Sequence, residues 1–182
     1  MSIYRTMEEN NFINGVIDFK DLPLISKNKA NLALNYISRN PYGITDIGNE
    51  LKNDKDFLLN VFSLIYSSEN IVKIYLEELP KNLKEDKEFI KELIKIDPVV
   101  LMSLKNNELY ENNEIWKLAL EKQGLLLSYA PKNIVNDIDL VKYAILNKSN
   151  SYVYIGEELE NNIELAIFTV NSDKYAIKLI PE

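Results

Sequence analysis

The 182-residue sequence contains no cysteine and no histidine. Without cysteine the chain has no disulfide, no thiol nucleophile and no thiolate metal ligand. Without histidine it also lacks the usual general base of enzymes and the commonest zinc ligand. We therefore expect no metal, no cofactor and no enzymatic activity. The alternative that stays open is an enzyme built only on carboxylate, lysine and tyrosine groups.

Arginine is scarce as well, since Arg5 and Arg39 are the only two in the sequence. The 21 basic residues face 28 acidic ones, and the net charge is −7. Direct nucleic-acid binding needs a surplus of positive charge, so we do not expect it here.

Long apolar runs are also missing. No run approaches the roughly 18 apolar residues that span a bilayer, and the N-terminus lacks the apolar core of a signal peptide. We expect no membrane partner and a cytoplasmic protein, in the producing cell or in a host cell.

Glycine and proline are also few, at five and six residues, while 46% of the chain is hydrophobic. This composition leaves little room for long loops and predicts a mostly helical globular protein. Leu51-Lys-Asn-Asp-Lys-Asp-Phe-Leu aligns with Leu83-Lys-Glu-Asp-Lys-Glu-Phe-Ile, which indicates a repeat of about 25 residues, lengthened by about six or seven between these two copies. The units begin at Ile25, Leu51, Leu83, Leu109, Ile134 and Leu159.

Each unit carries an asparagine or aspartate three residues after its start. These side chains accept hydrogen bonds from the first amides of a helix, so a helix is predicted to begin at each one. The predicted N-caps are Asn28, Asp54, Asp86, Asn112, Asp137 and Asn162. A turn midway predicts a second, shorter helix, whose end is marked by glycine, proline or asparagine. These markers are Gly48, Pro80, Asn106, Pro131, Gly156 and Pro181.

A helical pair this small cannot bury its apolar face alone, whereas stacked pairs share one core. We therefore predict an all-α protein, an α-solenoid of about six helix-turn-helix repeats over residues 25–182. A compact helical bundle is the alternative. Residues 1–24 are interpreted as an N-terminal cap or degenerate repeat, with a hairpin at Asn14-Gly15 as the other reading.

Two phrases of the sequence resemble a known family. They are Glu50-Leu-Lys-Asn-Asp-Lys-Asp-Phe-Leu-Leu59 and Leu83-Lys-Glu-Asp-Lys-Glu-Phe-Ile90, followed downstream by a Leu-Leu-Ser-Tyr-Ala turn that ends at Ala130. They are similar to the tandem repeats of the family called domain of unknown function 4116. The resemblance implies a helical array and carries no activity, so no functional residue is transferred from it.

Two pairs of aspartates have the spacing of a cation site. Asp54 and Asp56 form one pair and Asp137 and Asp139 the other, and carboxylate oxygens are the ligands that Mg²⁺ and Ca²⁺ prefer. The same spacing also places one carboxylate at an N-cap and the second against the positive end of the helix dipole. The cap interpretation is favoured because it recurs along the repeats.

Tyrosine is unusually frequent, with 11 copies, and acidic doublets lie near the ends of the predicted second helices. Tyrosine offers a large contact area at low entropic cost, although it also serves packing between repeats. The candidate partner-binding residues are Glu77, Glu78, Tyr129, Tyr152, Tyr154, Glu157, Glu158 and Tyr175. They favour a non-enzymatic helical repeat protein that binds a macromolecule, namely a protein with a basic surface. The alternative is an acidic inhibitor, such as an immunity or phage anti-defence protein, that blocks a basic nucleic-acid-binding surface of its target.

Overall fold

The computed structural model describes residues 5–65, 69–105 and 107–181. These residues form helices joined by short connections, with no strand among them, which confirms the all-helical prediction. The α-helices are α1 (Met7–Ile13), α2 (Leu24–Lys27), α3 (Ala30–Arg39), α4 (Asn49–Lys52), α5 (Lys55–Leu64), α6 (Glu69–Glu78), α7 (Lys81–Lys84), α8 (Lys87–Ile96), α9 (Asn113–Lys122), α10 (Lys132–Val135), α11 (Ile138–Asn147) and α12 (Ile163–Ser172). The 3₁₀ helices are Phe19–Asp21, Gly43–Thr45, Pro98–Leu104, Glu108–Glu111, Gly124–Tyr129, Ser149–Tyr154, Glu157–Leu159 and Lys174–Leu179.

The same order of elements recurs along the chain. A helix of one turn precedes each of α3, α5, α8, α9, α11 and α12, and each of these six α-helices has 10 residues. The predicted second helix follows and is a 3₁₀ helix, except that α6 is an α-helix of 10 residues. Each unit therefore contains a one-turn helix in addition to the two helices expected from the sequence. Four of its helix-ending markers instead lie at the N-caps of one-turn helices: Gly48, Pro80, Pro131 and Gly156. Asn106 lies outside the described residues.

Five of the six predicted N-caps are confirmed by hydrogen bonds from amides of the first helical turn. The side chains that accept these bonds are those of Asp54, Asp86, Asn112, Asp137 and Asn162. The prediction for Asn28 was wrong, because Asn28 ends α2 and Lys29 stands at the N-cap of α3. The first copy is therefore displaced by one residue, and the buried residue of its short helix is Ser26, whereas Ile25 is exposed.

Asn28 has a different role, which Asn136 repeats. The Asn28 side chain accepts a hydrogen bond from the Glu50 amide at 3.3 Å, and Asn136 accepts one from the Glu158 amide at the same distance. Each amide side chain also lies against a glycine, Gly48 in the first case and Gly156 in the second. These contacts join one copy of the element order to the next.

The segment 6–16 contains the capped helix α1 and no hairpin. The Thr6 hydroxyl accepts from the Glu9 amide, and the Glu9 carboxylate accepts from the Thr6 amide, which together make a capping box. Gly15 has a φ of 74°, a conformation that glycine adopts without strain. The amides of Gly15 and Val16 donate to carbonyls of the last turn of α1, which closes the helix in a Schellman motif.

The chain divides into two compact units, residues 1–90 and 91–182, and the division falls inside α8. In the N-terminal unit α3 packs against α2 and α5, and the stacked rings of Phe19 and Tyr36 lie 4.4 Å apart beside it. In the C-terminal unit α11 packs against α9 and α12, with fully buried Trp116 among the core residues. The boundary predicted after residue 24 stays a prediction.

Candidate functional site

Two exposed tyrosines occupy the same position in neighbouring elements of the C-terminal unit. Tyr129 ends the 3₁₀ helix Gly124–Tyr129, and Tyr154 ends the 3₁₀ helix Ser149–Tyr154. The two 3₁₀ helices pack against each other, and the tyrosines are 55% and 42% exposed. We call Tyr129 and Tyr154 the tyrosine row, because each belongs to one of two consecutive copies of the element order.

The first of these 3₁₀ helices depends on a close approach at Gly124. The Gly124 amide donates to the Asn147 side chain at 2.8 Å, and a Cβ on Gly124 would lie 2.2 Å from the Ala144 carbonyl oxygen. Leu126 and Leu127 are buried behind it. The same 3₁₀ helix therefore buries these two leucines and leaves the tyrosine at its end exposed.

Tyr129 is held by two neighbours. The Tyr110 hydroxyl donates a hydrogen bond to the Tyr129 carbonyl oxygen, and the Lys105 ammonium lies 5.5 Å from the centre of the Tyr129 ring. Tyr110 in turn contacts the edge of Trp116, and burial raises the pKa of the Tyr110 hydroxyl. The ring of Tyr129 is thus exposed on a supported backbone.

The acidic doublet Glu157 and Glu158 follows closely after Tyr154 in the chain and is exposed. It forms the one-turn 3₁₀ helix that ends at Leu159, whose side chain is buried. The Glu158 carboxylate lies 3.9 Å from the Lys132 ammonium, and both side chains are largely in water, so the pair contributes little to stability. The doublet therefore adds negative charge beside the second tyrosine of the row.

Tyr152 and Tyr175 lie outside the tyrosine row. Tyr152 is 3% exposed and therefore offers no surface to a partner. Burial, and next the charge of Glu160, raises the pKa of its hydroxyl. Tyr175 is 69% exposed, but it stands near the start of its 3₁₀ helix, where the Lys174 ammonium lies 5.1 Å from its ring centre.

The other acidic doublet belongs to the N-terminal unit. Glu77 is exposed and lies 4.0 Å from the Lys73 ammonium, whereas Glu78 is about one-third exposed and pairs with Lys52 at 2.5 Å. Nearby in the chain, Tyr75 is fully buried, and burial raises the pKa of its hydroxyl. Both carboxylates of this doublet therefore have a lysine partner, and the nearby Tyr75 is not exposed.

The aspartate pairs act at helix starts. Asp137 Oδ1 accepts from the amides of Asp139 and Leu140 at 3.0 and 3.1 Å, and Asp54 accepts from the Phe57 amide. Across the described ranges, no group of three or more acidic side chains has an arrangement suited to a metal ion. Within the same ranges, no helix combines the length and the apolarity needed to cross a membrane.

Sequence reasoning missed a buried polar cluster in the N-terminal unit. Glu9 is 1% exposed, accepts a hydrogen bond from the Ser26 hydroxyl at 2.7 Å and pairs with the Lys29 ammonium at 2.6 Å. Burial raises the pKa of the Glu9 carboxyl, but the hydrogen bonds from Lys29, Ser26 and the Thr6 amide together hold that pKa below its ordinary value. The sequence pattern hid this cluster, because Ile25 and Asn28 fit the apolar and N-cap positions of the repeat, and only the folded chain shows that Ser26 and Lys29 occupy them.

The fold defines an all-helical protein with a recurring order of elements. Residues 112–160 match the family model of a domain of unknown function (DUF4116). This segment contains α9, α10, α11 and both residues of the tyrosine row, and the match confirms the resemblance there, although Glu50–Leu59 and Leu83–Ile90 lie outside it. No curated protein and no solved structure matches the chain.

Proposed function

We propose that this protein is a non-enzymatic α-solenoid that binds another protein through the tyrosine row. The recurring order of elements supports the solenoid reading, because each ten-residue helix of the C-terminal unit packs on the next one along the chain. The observation that carries the binding proposal is the pair of exposed tyrosines on 3₁₀ helices that pack together. Exposed tyrosines on neighbouring elements that pack together are typical of the aromatic anchors of protein interfaces.

A partner isolated from the native cell tests this proposal. The double variant Tyr129→Ala/Tyr154→Ala should lose the partner that the wild-type chain retains, because each aromatic anchor contributes about 2 kcal/mol, or roughly 30-fold in affinity. Tyr42→Ala is the matched control, since Tyr42 is 54% exposed but belongs to the N-terminal unit. If the double variant and the control retain the same proteins in the same amounts, the tyrosine row is not the binding surface.

An acidic inhibitor is the second candidate, and exposed carboxylates at the end of the row favour it. Glu157, Glu158 and Glu160 lie just beyond Tyr154 and are all exposed. A basic partner would then be steered by charge, and association should slow as salt rises. Replacing Glu157 and Glu158 with lysine should lower the association rate several-fold and leave dissociation almost unchanged. Association that is independent of salt, measured by surface plasmon resonance, would exclude this mechanism.

A further inference from the structure

Several positions that are buried in α9 and α11 are open in α12. The fourth and eighth residues of α9, Trp116 and Leu120, are fully buried, and so are the equivalent Val141 and Ile145 of α11. The equivalent residues of α12 are only half-buried; they are Ala166 and Val170. The following 3₁₀ helices differ in the same way, since Leu127 and Tyr152 are buried and the equivalent Ile177 is 64% exposed.

These open positions form a continuous apolar groove. It has a volume of about 260 Å³ and is lined by Ala166, Ile167, Val170, Asn171, Ile177 and Ile180. We call it the α12 face. A smaller cavity of about 180 Å³ adjoins it, shares Ala166 and Ile180 with it, and is also lined by Tyr152 and Glu160. The hydroxyl of Tyr152 is buried without a hydrogen-bond partner among the described residues.

The packing inside the C-terminal unit indicates what fits the α12 face. α11 packs on α9 and α12 packs on α11, each through a ten-residue helix and its 3₁₀ helix. The α12 face is the same kind of surface one step further along the chain. Its fifth residue also departs from the pattern, since Lys117 and Lys142 occupy that position in α9 and α11, whereas α12 has Ile167, which is 57% exposed. This exposed isoleucine enlarges the apolar area of the α12 face.

We propose that the α12 face binds the α12 face of a second copy of this chain, forming a two-fold symmetric dimer. A two-fold axis near Ile167 makes the two α12 helices antiparallel. Glu160 lies two residues before Asn162, the N-cap of α12, and Lys174 directly follows Asp173, its C-cap; both are exposed. The antiparallel arrangement therefore brings Glu160 of one copy toward Lys174 of the second copy at both ends of the interface, which makes the charged rim complementary to itself.

Sedimentation velocity over a range of protein concentrations tests the dimer. The wild-type chain should show a reversible monomer–dimer equilibrium, and Ile167→Lys should raise the dissociation constant by at least about tenfold, because a charge replaces an apolar contact at the centre. The variant should fold normally, since lysine already stands at this position in α9 and α11. Leu146→Lys is the control; Leu146 is 63% exposed on α11 and does not line the face.

The charged rim gives a second, independent measurement. Glu160→Lys alone and Lys174→Glu alone should each weaken the dimer several-fold by placing like charges together, and the double exchange should restore wild-type affinity. A chain that stays monomeric at every concentration overturns the proposal and leaves the face to a different protein. A dimer that is insensitive to Ile167→Lys in a variant that folds, or a double exchange that stays weak, overturns it as well. If Ile167→Lys does not fold, Ile177→Lys is measured in its place with the same expectation.

Discussion

Residues 24–39 and residues 132–147 have the same order of elements and different chemistry at two positions. In the second segment the short helix buries Ile134, and Asp137 caps the long helix with bonds to two amides. In the first segment Ser26 is buried at the position of Ile134, and Lys29 stands at the N-cap with no capping bond from its side chain. The first copy thus lacks both the apolar anchor and the helix cap.

The replacement is explained by α1, because Glu9 of that helix is the acceptor for both Ser26 and Lys29. A buried carboxylate is costly unless it is paired and hydrogen-bonded, and these two residues satisfy it. The first copy thus departs from the common pattern where α1 contacts it. The two segments are therefore expected to respond differently to substitution and to pH.

The largest effect is expected at the apolar anchor. Ile134→Ser places in α10 the residue that α2 has at this position. It should lower the free energy of unfolding by about 4 kcal/mol, because a fully buried apolar side chain is lost and a hydroxyl is buried without a hydrogen-bond partner. Urea denaturation measures it. Ile25→Ser is the matched control, since Ile25 is 74% exposed and should change stability by less than about 0.5 kcal/mol. Equal losses in the two variants would show that burial does not distinguish these positions.

The buried carboxylate of Glu9 should give the second-largest effect. Glu9→Gln removes the charge that pairs with Lys29 and should cost about 2 kcal/mol in urea denaturation; Lys29 is 41% exposed, so water screens part of the interaction. Glu8→Gln, at an exposed position of the same helix, is the control and should be nearly neutral.

The pH dependence separates the charge of Glu9 from its shape. The folded state holds the pKa of Glu9 below its ordinary value, so the carboxylate stabilises the fold at neutral pH. This contribution is present above the pKa of the unfolded chain and is lost as the pH falls through the lowered folded pKa. The difference in stability between wild type and Glu9→Gln should therefore shrink below about pH 4. A difference that stays constant down to pH 3 would contradict a role for the charge.

The helix starts could be predicted because an N-cap is a local interaction, decided by a side chain and the amides two or three residues away. Lys29 could not be predicted from its own copy, because Glu9, its partner, is distant in sequence. The one-turn helices were missed for another reason. Proline or glycine at an N-cap looks the same in sequence as one that ends a helix, and both Pro131 and Gly156 were assigned to the second role.

The candidate site was predicted only in part, because a list of tyrosines does not say which side each one faces. The second elements were expected to be shorter helices, and most of them are 3₁₀ helices. Within one of these 3₁₀ helices Tyr152 is buried and Tyr154 is exposed, and the sequence pattern does not distinguish the two. The exposure of Tyr129 also depends on the close approach at Gly124, which only the folded chain reveals.

The contact of Asn28 with Gly48 and that of Asn136 with Gly156 should give equal effects of intermediate size when either glycine is replaced. In Gly156→Ala the new Cβ would lie 1.8 Å from the Asn136 Oδ1 atom, and in Gly48→Ala it would lie 1.6 Å from the Asn28 Oδ1 atom. Displacing either amide side chain breaks its hydrogen bond to the next copy, so each variant should lose about 1.5 kcal/mol in urea denaturation. Adding Asn136→Ala to Gly156→Ala should recover part of the loss by removing the clash. An additive double variant would mean that the Asn136 side chain is not what the new Cβ meets.

The smallest effect is expected at the cap that the first segment lacks. Asp137→Ala should cost about 1 kcal/mol, because the amides of Asp139 and Leu140 lose their acceptor. Asp137→Asn should be nearly neutral, since asparagine keeps the acceptor oxygen and caps helices about as well. Lys29→Ala removes no capping bond at the equivalent position of α3, so any loss of stability there should disappear in the Glu9→Gln background.

Thermal unfolding with and without EDTA tests whether Asp137 also binds a cation. EDTA should leave the melting temperatures of wild type and Asp137→Ala unchanged. If EDTA lowered only the wild-type melting temperature, Asp137 and Asp139 would bind a cation in addition to their role at the helix start.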